Sequence, residues 1–276
     1  MPRTGLATTS DGRVMPGALS PRTADLVRGP RRPALVLGAS RHGVYLGLGR
    51  RVLPVLTSDA VDLPDAVRLA APSGGCDLGV VAGDRAVVGA GAVRLPSLTV
   101  RGVRTWRPAR VRPVDGDASP EVDALLGSAV AGAPDWLARG VAEAAAAADP
   151  AGAVARLVGR GAGLTPSGDD ALAGCLLLLR AVAACPRDRA DQLAAAVRAR
   201  LATTTAVSAA LLDAAADGWA GRDVVTLVDA TARGDVDAVR AALPAVLAVG
   251  HTSGRDLVTG VRATADVLHR TGKVAA

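Results

Sequence analysis

Two adjacent carboxylates, Asp169 and Asp170, follow a loop of glycines, a proline and two hydroxyl side chains in the stretch GRGAGLTPSGDDALAG at residues 159–174. An acid in the first turn of a helix interacts favourably with the helix dipole, and a hydroxyl side chain can cap free backbone N–H groups. Thr165 or Ser167 would provide that cap. A second, adjacent carboxylate points about 100° around the helix, so it needs a separate explanation.

The same stretch has the GxxxxG spacing of a nucleotide-binding loop, between Gly163 and Gly168. That motif requires Lys and then Ser or Thr at the next two positions, where this chain has Asp169 and Asp170, and no strand is predicted before Gly159. Two carboxylates repel phosphate oxygens unless a divalent cation lies between them. A Walker loop is therefore excluded, whereas a magnesium ion held by Asp169 and Asp170 remains an open interpretation.

A second segment repeats the pattern of the first. Residues 167–174 (SGDDALAG) and 253–260 (SGRDLVTG) share the core S-G-x-D-x-x-x-G. In both, a break precedes an Asp in the first helical turn, and a glycine further along lets another backbone approach closely. The two breaks are either unrelated caps or two helix N-termini around one shared pocket. We favour the pocket, in which Asp169, Asp170 and Asp256 would hold a cation or a substrate amide.

In the shared-pocket interpretation, backbone N–H groups at both helix starts bind a small anionic substrate together with nearby side chains. The predicted anion-binding residues are Gly163, Thr165, Ser167, Gly168, Thr252, Ser253, Gly254 and Arg255. Arg255 could form a bidentate pair with phosphate or a carboxylate, and His251 could transfer a proton near neutral pH. A solvated Arg255 and a loop-bracing His251 are the alternatives. The predicted catalytic residues are Asp169, Asp170, Asp256 and His251.

The first part of the chain is typical of strands. Short β-branched runs separated by turns occur at residues 33–39, 43–49, 51–57, 78–95 and 97–106. Gly83 and Asp84 lie between two valine pairs, which indicates a hairpin turn.

From Pro120 onward the runs are longer and favour about seven helices. Four helix starts are marked by Pro134, Pro150, Pro186 and Asp235. The predicted fold class is α+β, with an N-terminal antiparallel β barrel or sandwich followed by a C-terminal α-helical bundle.

The formal charge of +6 is concentrated at the N-terminus. Residues 1–32 contain six Arg against two Asp, are rich in Pro, Gly, Ser and Thr, and have no apolar stretch long enough for a signal sequence. We therefore predict a disordered basic arm over residues 1–32, a β domain over 33–114, and a helical domain over 115–276 that carries both glycine loops. Deleting the arm should leave the thermal stability nearly unchanged.

Composition argues against several other classes of protein. The longest apolar run, residues 172–179, is far shorter than the roughly 20 residues that a membrane span needs, so we expect a soluble cytoplasmic protein. Cys76, Cys175 and Cys185 show no CxxC spacing and indicate neither a disulfide framework nor a zinc site. Five arginines in residues 101–113 could begin a nucleic-acid patch, but a solvated strand edge is the more common role of such a run.

The stretch GLTPSGDD at residues 163–170, together with the later GHTSGRD at 250–256, resembles the AllH-like family. The similarity extends over roughly residues 33–270. One class of that family is the small subunit of oxamate carbamoyltransferase, which acts in anaerobic allantoin breakdown and so in purine nitrogen catabolism. The resemblance implies that the complex interconverts oxalurate plus phosphate with oxamate plus carbamoyl phosphate, and that it contains two larger subunits. The alternative is a non-catalytic partner that binds a small anion and regulates a larger metabolic enzyme.

Overall fold

A computed structural model of the chain describes residues 13–116 and 119–275, in which two compact units are distinguished. The first unit ends at Arg107 and omits Asp62–Pro64, whereas the second contains those three residues and the chain from Pro108 onward. The division thus falls before the boundary predicted at residue 114.

The first unit is a closed barrel of eight strands. In chain order these are β1 (Arg13–Leu19), β2 (Arg32–Ser40), β3 (Gly43–Leu48), β4 (Arg51–Leu56), β5 (Val67–Leu69), β6 (Arg85–Gly89), β7 (Ala92–Arg94) and β8 (Leu98–Thr105), with a short helix α1 (Ala24–Arg28) after β1. Around the barrel the order is β1-β5-β4-β3-β2-β6-β7-β8. Strand β1 pairs in parallel with β8, and β4 pairs in parallel with β5.

The predicted antiparallel barrel or sandwich is therefore wrong in two respects: the closed barrel excludes the sandwich, and its sheet is mixed where an antiparallel one was predicted. Closure depends on β1, whose register runs from Arg13 opposite Leu98 to Leu19 opposite Thr105, with an irregularity between Gly17 and Ala18. The sequence interpretation placed this strand in the arm, so the parallel pairing of β1 with β8 was not predicted.

The predicted disordered arm is wrong from residue 13 onward; residues 1–12 lie outside the described part of the chain. Met15 and Leu19 of β1 are buried in the barrel core, and so are Leu26 and Val27 of α1. Arg22 forms an ion pair with Asp65 at 2.6 Å. The segment therefore folds into the barrel. Its apolar residues are few and lie among prolines and arginines, so the sequence pattern did not indicate a strand.

The hairpin predicted at Gly83 and Asp84 is also wrong. Strand β6 begins only at Arg85 and pairs with β2 and β7. The hairpin turn lies between β6 and β7, where Ala90 and Gly91 have φ angles of 51° and 79°. Two consecutive residues with positive φ give the turn whose twist matches that of the flanking strands.

The second unit contains nine helices within its described residues, whereas about seven were predicted. They are α2 (Pro120–Ala129), α3 (Asp135–Ala146), α4 (Ala151–Leu157), α5 (Ser167–Ala181), α6 (Arg187–Arg198), α7 (Ala206–Ala216), α8 (Arg222–Arg233), α9 (Val236–Leu247) and α10 (Ser253–Ala275), with a small sheet of β9 (Ala109–Arg110) and β10 (Trp219–Ala220). All four predicted helix starts are confirmed, because each marker residue immediately precedes a helix. Across the described part of the chain, no helix has the length and apolar character needed to cross a membrane.

Helix α5 lies at the centre of the second unit. All of its residues are buried except Ser167 and Arg180, which are half-buried, and it packs against α10, α7 and α8. A helix that is apolar on all sides is expected at such a position. Its first turn nevertheless carries Asp169 and Asp170, and burying a carboxylate is costly unless the charge is compensated. The start of α5 therefore buries two carboxyl groups whose charge must be compensated by hydrogen bonds or by opposite charges.

Candidate functional site

Helices α5 and α10 cross at two glycines. A Cβ atom added at Gly174 would lie 2.2 Å from the carbonyl oxygen of Leu257, and one added at Gly260 would lie 1.9 Å from that of Ala171. Neither distance leaves room for a side chain, so each glycine accepts the backbone of the other helix. The two contacts involve equivalent positions of the repeated segments, because residues 171 and 174 of the first correspond to 257 and 260 of the second.

The starts of α5 and α10 also contact the helices that precede them, α4 and α9, in equivalent ways. A Cβ atom at Gly168 would lie 2.1 Å from the carbonyl oxygen of Leu157, and one at Gly254 would lie 2.0 Å from that of Val246. The N–H group of Gly168 donates to the carbonyl of Arg160 at 2.9 Å, and that of Gly254 donates to Val249 at 3.0 Å. In both copies the accepting carbonyl lies three residues after the one that the glycine packs against. The repeated motif therefore folds into two equivalent helix starts.

The two loops that precede these helices meet. The hydroxyl oxygens of Thr165 and Ser253 lie 2.8 Å apart and form a hydrogen bond. Both hydroxyls also lie near the carboxyl group of Asp170 and lower its pKa. The first helix start thus contributes Thr165 and Asp170 to a small polar cluster, and the second contributes Ser253.

Asp170 is only 9% exposed. Burial raises its pKa from the ordinary value of 3.8 to about 7. The hydroxyls of Ser253 and Thr165 lower this pKa, whereas the negative charges of Asp256 and Asp169 raise it further. Its Oδ2 atom is buried and has no hydrogen-bond partner among the described residues. Near neutral pH both the protonated and the ionised forms of this group are populated.

Asp256 contributes the second carboxylate. It is 1% exposed, and its Oδ2 atom likewise has no partner within the described chain. The adjacent Arg255 is half-buried and its Nε atom is also without a partner there. Buried polar atoms are nearly always hydrogen-bonded in folded proteins. The cluster therefore leaves two acceptor oxygens unused, and the same helical turn leaves one donor unused.

Asp169 differs from its neighbour because protein groups occupy both of its oxygens. The backbone N–H of Gly159 donates to Oδ1 at 2.8 Å, while the hydroxyls of Thr204 and Ser208 donate to Oδ2, the latter at 2.7 Å. These bonds connect the start of α5 to the loop before it and to helix α7. Asp169 thus braces the loop, whereas Asp170 and Asp256 each have one buried oxygen without a partner among the described residues.

Two of these bracing residues come from the run TTTAVS at 203–208. Thr205 caps α7 by accepting from the N–H of Ser208 at 3.1 Å, as its position before a helix suggests, and it also donates to the carbonyl of Leu164. The role of Thr204 was missed by sequence reasoning. A cluster of hydroxyls upstream of a helix was the available signal, but it did not indicate which acceptor they would reach.

No ligand set for a metal ion is built around the first aspartate pair. In residues 13–116 and 119–275, no group of three or more His, Cys, Asp or Glu side chains is arranged so that it could hold a metal ion. The donors on Asp169 occupy the oxygens that a magnesium ion shared with Asp170 would need. The donor chemistry of this site therefore favours hydrogen-bonding ligands.

Three backbone N–H groups beside the carboxyl groups are already hydrogen-bonded. The N–H groups of Asp169 and Asp170 both donate to the carbonyl of Pro166, and that of Asp256 donates to the carbonyl of Thr252. These donors are bonded within their own loops. The predicted side-chain cap of α5 by Thr165 or Ser167 is wrong, because Pro166 is the N-cap and no side chain caps the helix.

The remaining predicted site residues are distributed unevenly. Gly168 and Gly254 are buried packing positions, whereas Ser167 and Thr252 are half-buried at the helix starts. Gly163 and His251 are exposed. The structure therefore brings the two helix starts together at Thr165, Ser253 and Asp170, with His251 on the outside of its loop.

One family model matches this chain, over residues 157–265, and it is described as oxamate carbamoyltransferase subunit AllH. The matched segment begins at the end of α4 and contains both repeated loops. No curated protein and no solved structure matches the chain significantly.

Proposed function

We propose that this chain, whose residues 157–265 match the AllH family model, acts as a subunit of an oxamate carbamoyltransferase. The reaction converts oxalurate and phosphate to oxamate and carbamoyl phosphate, in the breakdown of allantoin and purine nitrogen. Two larger subunits complete the enzyme, and this chain supplies the polar cluster at the starts of α5 and α10.

The observation that carries this proposal is the junction of the two loops. The matched segment contains both, and Thr165 of one loop lies 2.8 Å from Ser253 of the other. If the two loops only capped separate helices, neither their contact nor the unpaired buried carboxylate oxygens would be expected. A small-molecule site typically presents a few convergent polar groups, some with perturbed pKa values.

The chemistry of carbamoyl transfer matches what this cluster offers. A phosphate oxygen attacks the ureido carbonyl carbon of oxalurate, and the bond from that carbon to the inner nitrogen breaks. The hydrogen phosphate loses its proton and the departing oxamate nitrogen gains one, so the reaction is balanced without an external acid. A carboxyl group that exchanges protons near neutral pH suits this transfer, and Asp170 is such a group because burial raises its pKa to about 7.

Arg255 is the group best suited to the anionic part of the reaction. Its guanidinium lies one residue before Asp256 and has a buried Nε without a partner in the described chain. Arginine forms paired hydrogen bonds with phosphate and carboxylate groups, and it keeps its charge at all relevant pH values. It would position phosphate or the oxamate carboxylate, whereas the N–H groups of Asp169, Asp170 and Asp256 are already bonded.

The test is reconstitution with the two larger subunits and measurement of carbamoyl phosphate formed from oxalurate and phosphate. We expect activity to require this chain, and Asp170→Asn to lower kcat by about a hundredfold or more. Asp229→Asn is the matched control, because Asp229 lies on α8 outside both loops and burial raises its pKa as well. It should leave kcat unchanged.

Full activity of the larger subunits without this chain would refute a catalytic contribution. The remaining function would then be the non-catalytic one, in which the chain binds a small anion and regulates the enzyme that it joins. The absence of any carbamoyl phosphate from the complete complex would refute the reaction itself.

A further inference from the structure

The unused buried atoms of the cluster define what kind of ligand group fits there. Asp170 Oδ2 and Asp256 Oδ2 are hydrogen-bond acceptors when ionised, and both are buried without a partner among the described residues. The two carboxyl groups belong to helix starts that meet: Asp256 follows Ser253 by three residues, about one turn of α10, and the Ser253 hydroxyl bonds that of Thr165 in the loop before Asp170. The charge of Asp256 also raises the pKa of Asp170. A buried polar atom left unpaired costs roughly 1–3 kcal/mol, so a ligand that pairs with these oxygens recovers that energy.

We infer that Asp170 and Asp256 form one carboxyl pair that binds the terminal –NH2 and carbonyl of a primary amide or ureido group. The inference shares its site with the proposed function and names the end of the substrate that this site holds.

The protonation of the pair supports a neutral amide over an ion. When two neighbouring carboxyl groups share one proton, the pair offers a carboxylate acceptor and an O–H donor together. An amide end presents N–H donors and a carbonyl acceptor, so its hydrogen-bonding groups complement those of the pair. Burial keeps Asp170 partly protonated at neutral pH, in agreement with this arrangement.

Two other classes of ligand fit less well. An anion would face the two carboxyl groups, while the N–H groups of Asp169, Asp170 and Asp256 are bonded to loop carbonyls. A divalent cation would need several further oxygen ligands, and the described residues contain no group of three acidic, His or Cys side chains that could hold one.

The test uses the isolated full-length chain and three small probes in calorimetric titrations at neutral pH. Oxamate carries an amide and a carboxylate, and oxalate replaces the amide by a second carboxylate. N,N-dimethyloxamate keeps the amide carbonyl and the carboxylate, but two methyl groups replace its N–H donors. We expect oxamate to bind at least about tenfold more tightly than either analogue, because each analogue leaves a buried acceptor unpaired.

Variants assign the discrimination to the pair. Asp170→Asn and Asp256→Asn should each reduce the preference for oxamate over its dimethyl analogue to less than about threefold, whereas Asp229→Asn should preserve it. Urea denaturation of each variant verifies that it is folded before titration. If either variant does not fold, Ser253→Ala serves instead, since it removes one hydroxyl from Asp170 and should weaken oxamate binding.

Equal binding of oxamate and oxalate, or of oxamate and its dimethyl analogue, would overturn the inference, and so would the failure of oxamate to bind the isolated chain. Magnesium binding that requires Asp170 and Asp256, without discrimination among the probes, would also overturn it and indicate a cation site. Failure of the proposed reaction gives a different result. If the isolated chain still prefers oxamate but the complete complex forms no carbamoyl phosphate, the amide site stands and the proposed reaction is refuted.

Discussion

The hydroxyl oxygens of Thr165 and Ser253 lie 2.8 Å apart, although 88 residues separate them along the chain. Each belongs to a loop that opens a helix, and the two helices cross through glycines at equivalent positions. The contact therefore joins two copies of one structural motif, and both hydroxyls favour the charged form of the buried carboxyl group of Asp170. This relationship gives the first measurable consequence.

Thr165→Val and Ser253→Ala should show coupled losses of stability. A double-mutant cycle measured by urea denaturation should give a coupling free energy of about 1 kcal/mol, because removing either hydroxyl already breaks the shared hydrogen bond. As a control, Thr226 on α8 donates to the carbonyl of Arg222, within its own helix. Pairing Thr165→Val with Thr226→Val should give coupling below about 0.5 kcal/mol. Additive effects for the first pair would mean that the loops do not meet in solution.

Alanine at Gly174 or Gly260 should separate the two crossing helices. A Cβ atom at these positions would lie 2.2 and 1.9 Å from backbone oxygens, which cannot move as a flexible side chain can. We expect each substitution to lower the free energy of unfolding by about 3 kcal/mol or more. Thermal and urea denaturation would measure the loss.

The matched control for the crossing glycines is Gly152→Ala. Gly152 is an exposed residue of α4, and an added Cβ would approach only the Arg156 side chain, at 3.7 Å. Alanine is favoured over glycine in such a helix, so this variant should gain roughly 0.5–1 kcal/mol. Similar losses from all three substitutions would contradict the close approach of α5 and α10.

Asp169→Asn and Asp170→Asn make the same chemical change at adjacent residues and should have opposite effects at pH 8. Asp169 accepts three hydrogen bonds, and an amide in its place presents a donor to one of those groups, at a cost of about 2–3 kcal/mol. Asp170 has an unpaired buried oxygen, so losing its charge should be stabilising. Urea denaturation would measure the free energy of unfolding of both variants. A stabilising Asp169→Asn with a destabilising Asp170→Asn would show that Asp169 does not brace the loop and that Asp170 is not the unpaired group.

The stability contributed by Asp170 should depend on pH. Its folded-state pKa is about 7 and its ordinary value is 3.8, because burial disfavours the charged form. The folded chain thus retains a proton that the unfolded chain has released, so the stabilisation is complete below pH 3.8 and is lost as pH rises to about 7. The stability of Asp170→Asn minus that of the unmutated protein should rise by about 3 kcal/mol from pH 5 to pH 8.

Titrating groups that do not interact with Asp170 are the same in both proteins, so they cancel in that difference. Denaturation curves at pH 5, 6, 7 and 8 would measure it. A difference that stays constant with pH would show that the folded and unfolded states bind protons alike at this position.

Strand β1 should be required for the barrel. Leu19 is 2% exposed in the barrel core, so Leu19→Ala should cost about 2–5 kcal/mol. Val14 lies on the same strand but is 58% exposed, and Val14→Ala should change stability by less than about 0.5 kcal/mol. Denaturation monitored by circular dichroism separates the two outcomes. Equal, small effects would favour the disordered arm that the composition indicates.

The helical part of the fold could be predicted from the sequence because its signals are local. Proline and aspartate mark helix starts through the geometry of a single turn, and Pro134, Pro150 and Asp235 each precede a helix. The closure of the barrel could not be predicted in this way. It depends on the pairing of β1 with β8, between residues more than 80 positions apart, and a strand with Pro16 and Gly17 carries a weak propensity of its own.

Part of the candidate site could also be predicted from the sequence. Repetition of S-G-x-D-x-x-x-G correctly paired the two helix starts, since the glycines make equivalent backbone contacts. The sequence could not separate the roles of Asp169 and Asp170, which differ only in what surrounds them. That difference comes from Thr204 and Ser208, which tertiary packing brings to Asp169 from the start of α7.

The glycine crossing also sets the mechanical tolerance of the site. Ser253 lies seven residues before Gly260, a lever arm of about 10 Å along α10. A tilt of α10 by about 5° around the crossing would displace its first residue by about 1 Å, enough to break a hydrogen bond of normal length. Since backbone atoms meet directly there, no side-chain rotamer can absorb such a tilt. The crossing acts as a stiff pivot that keeps the starts of α5 and α10 at a fixed separation.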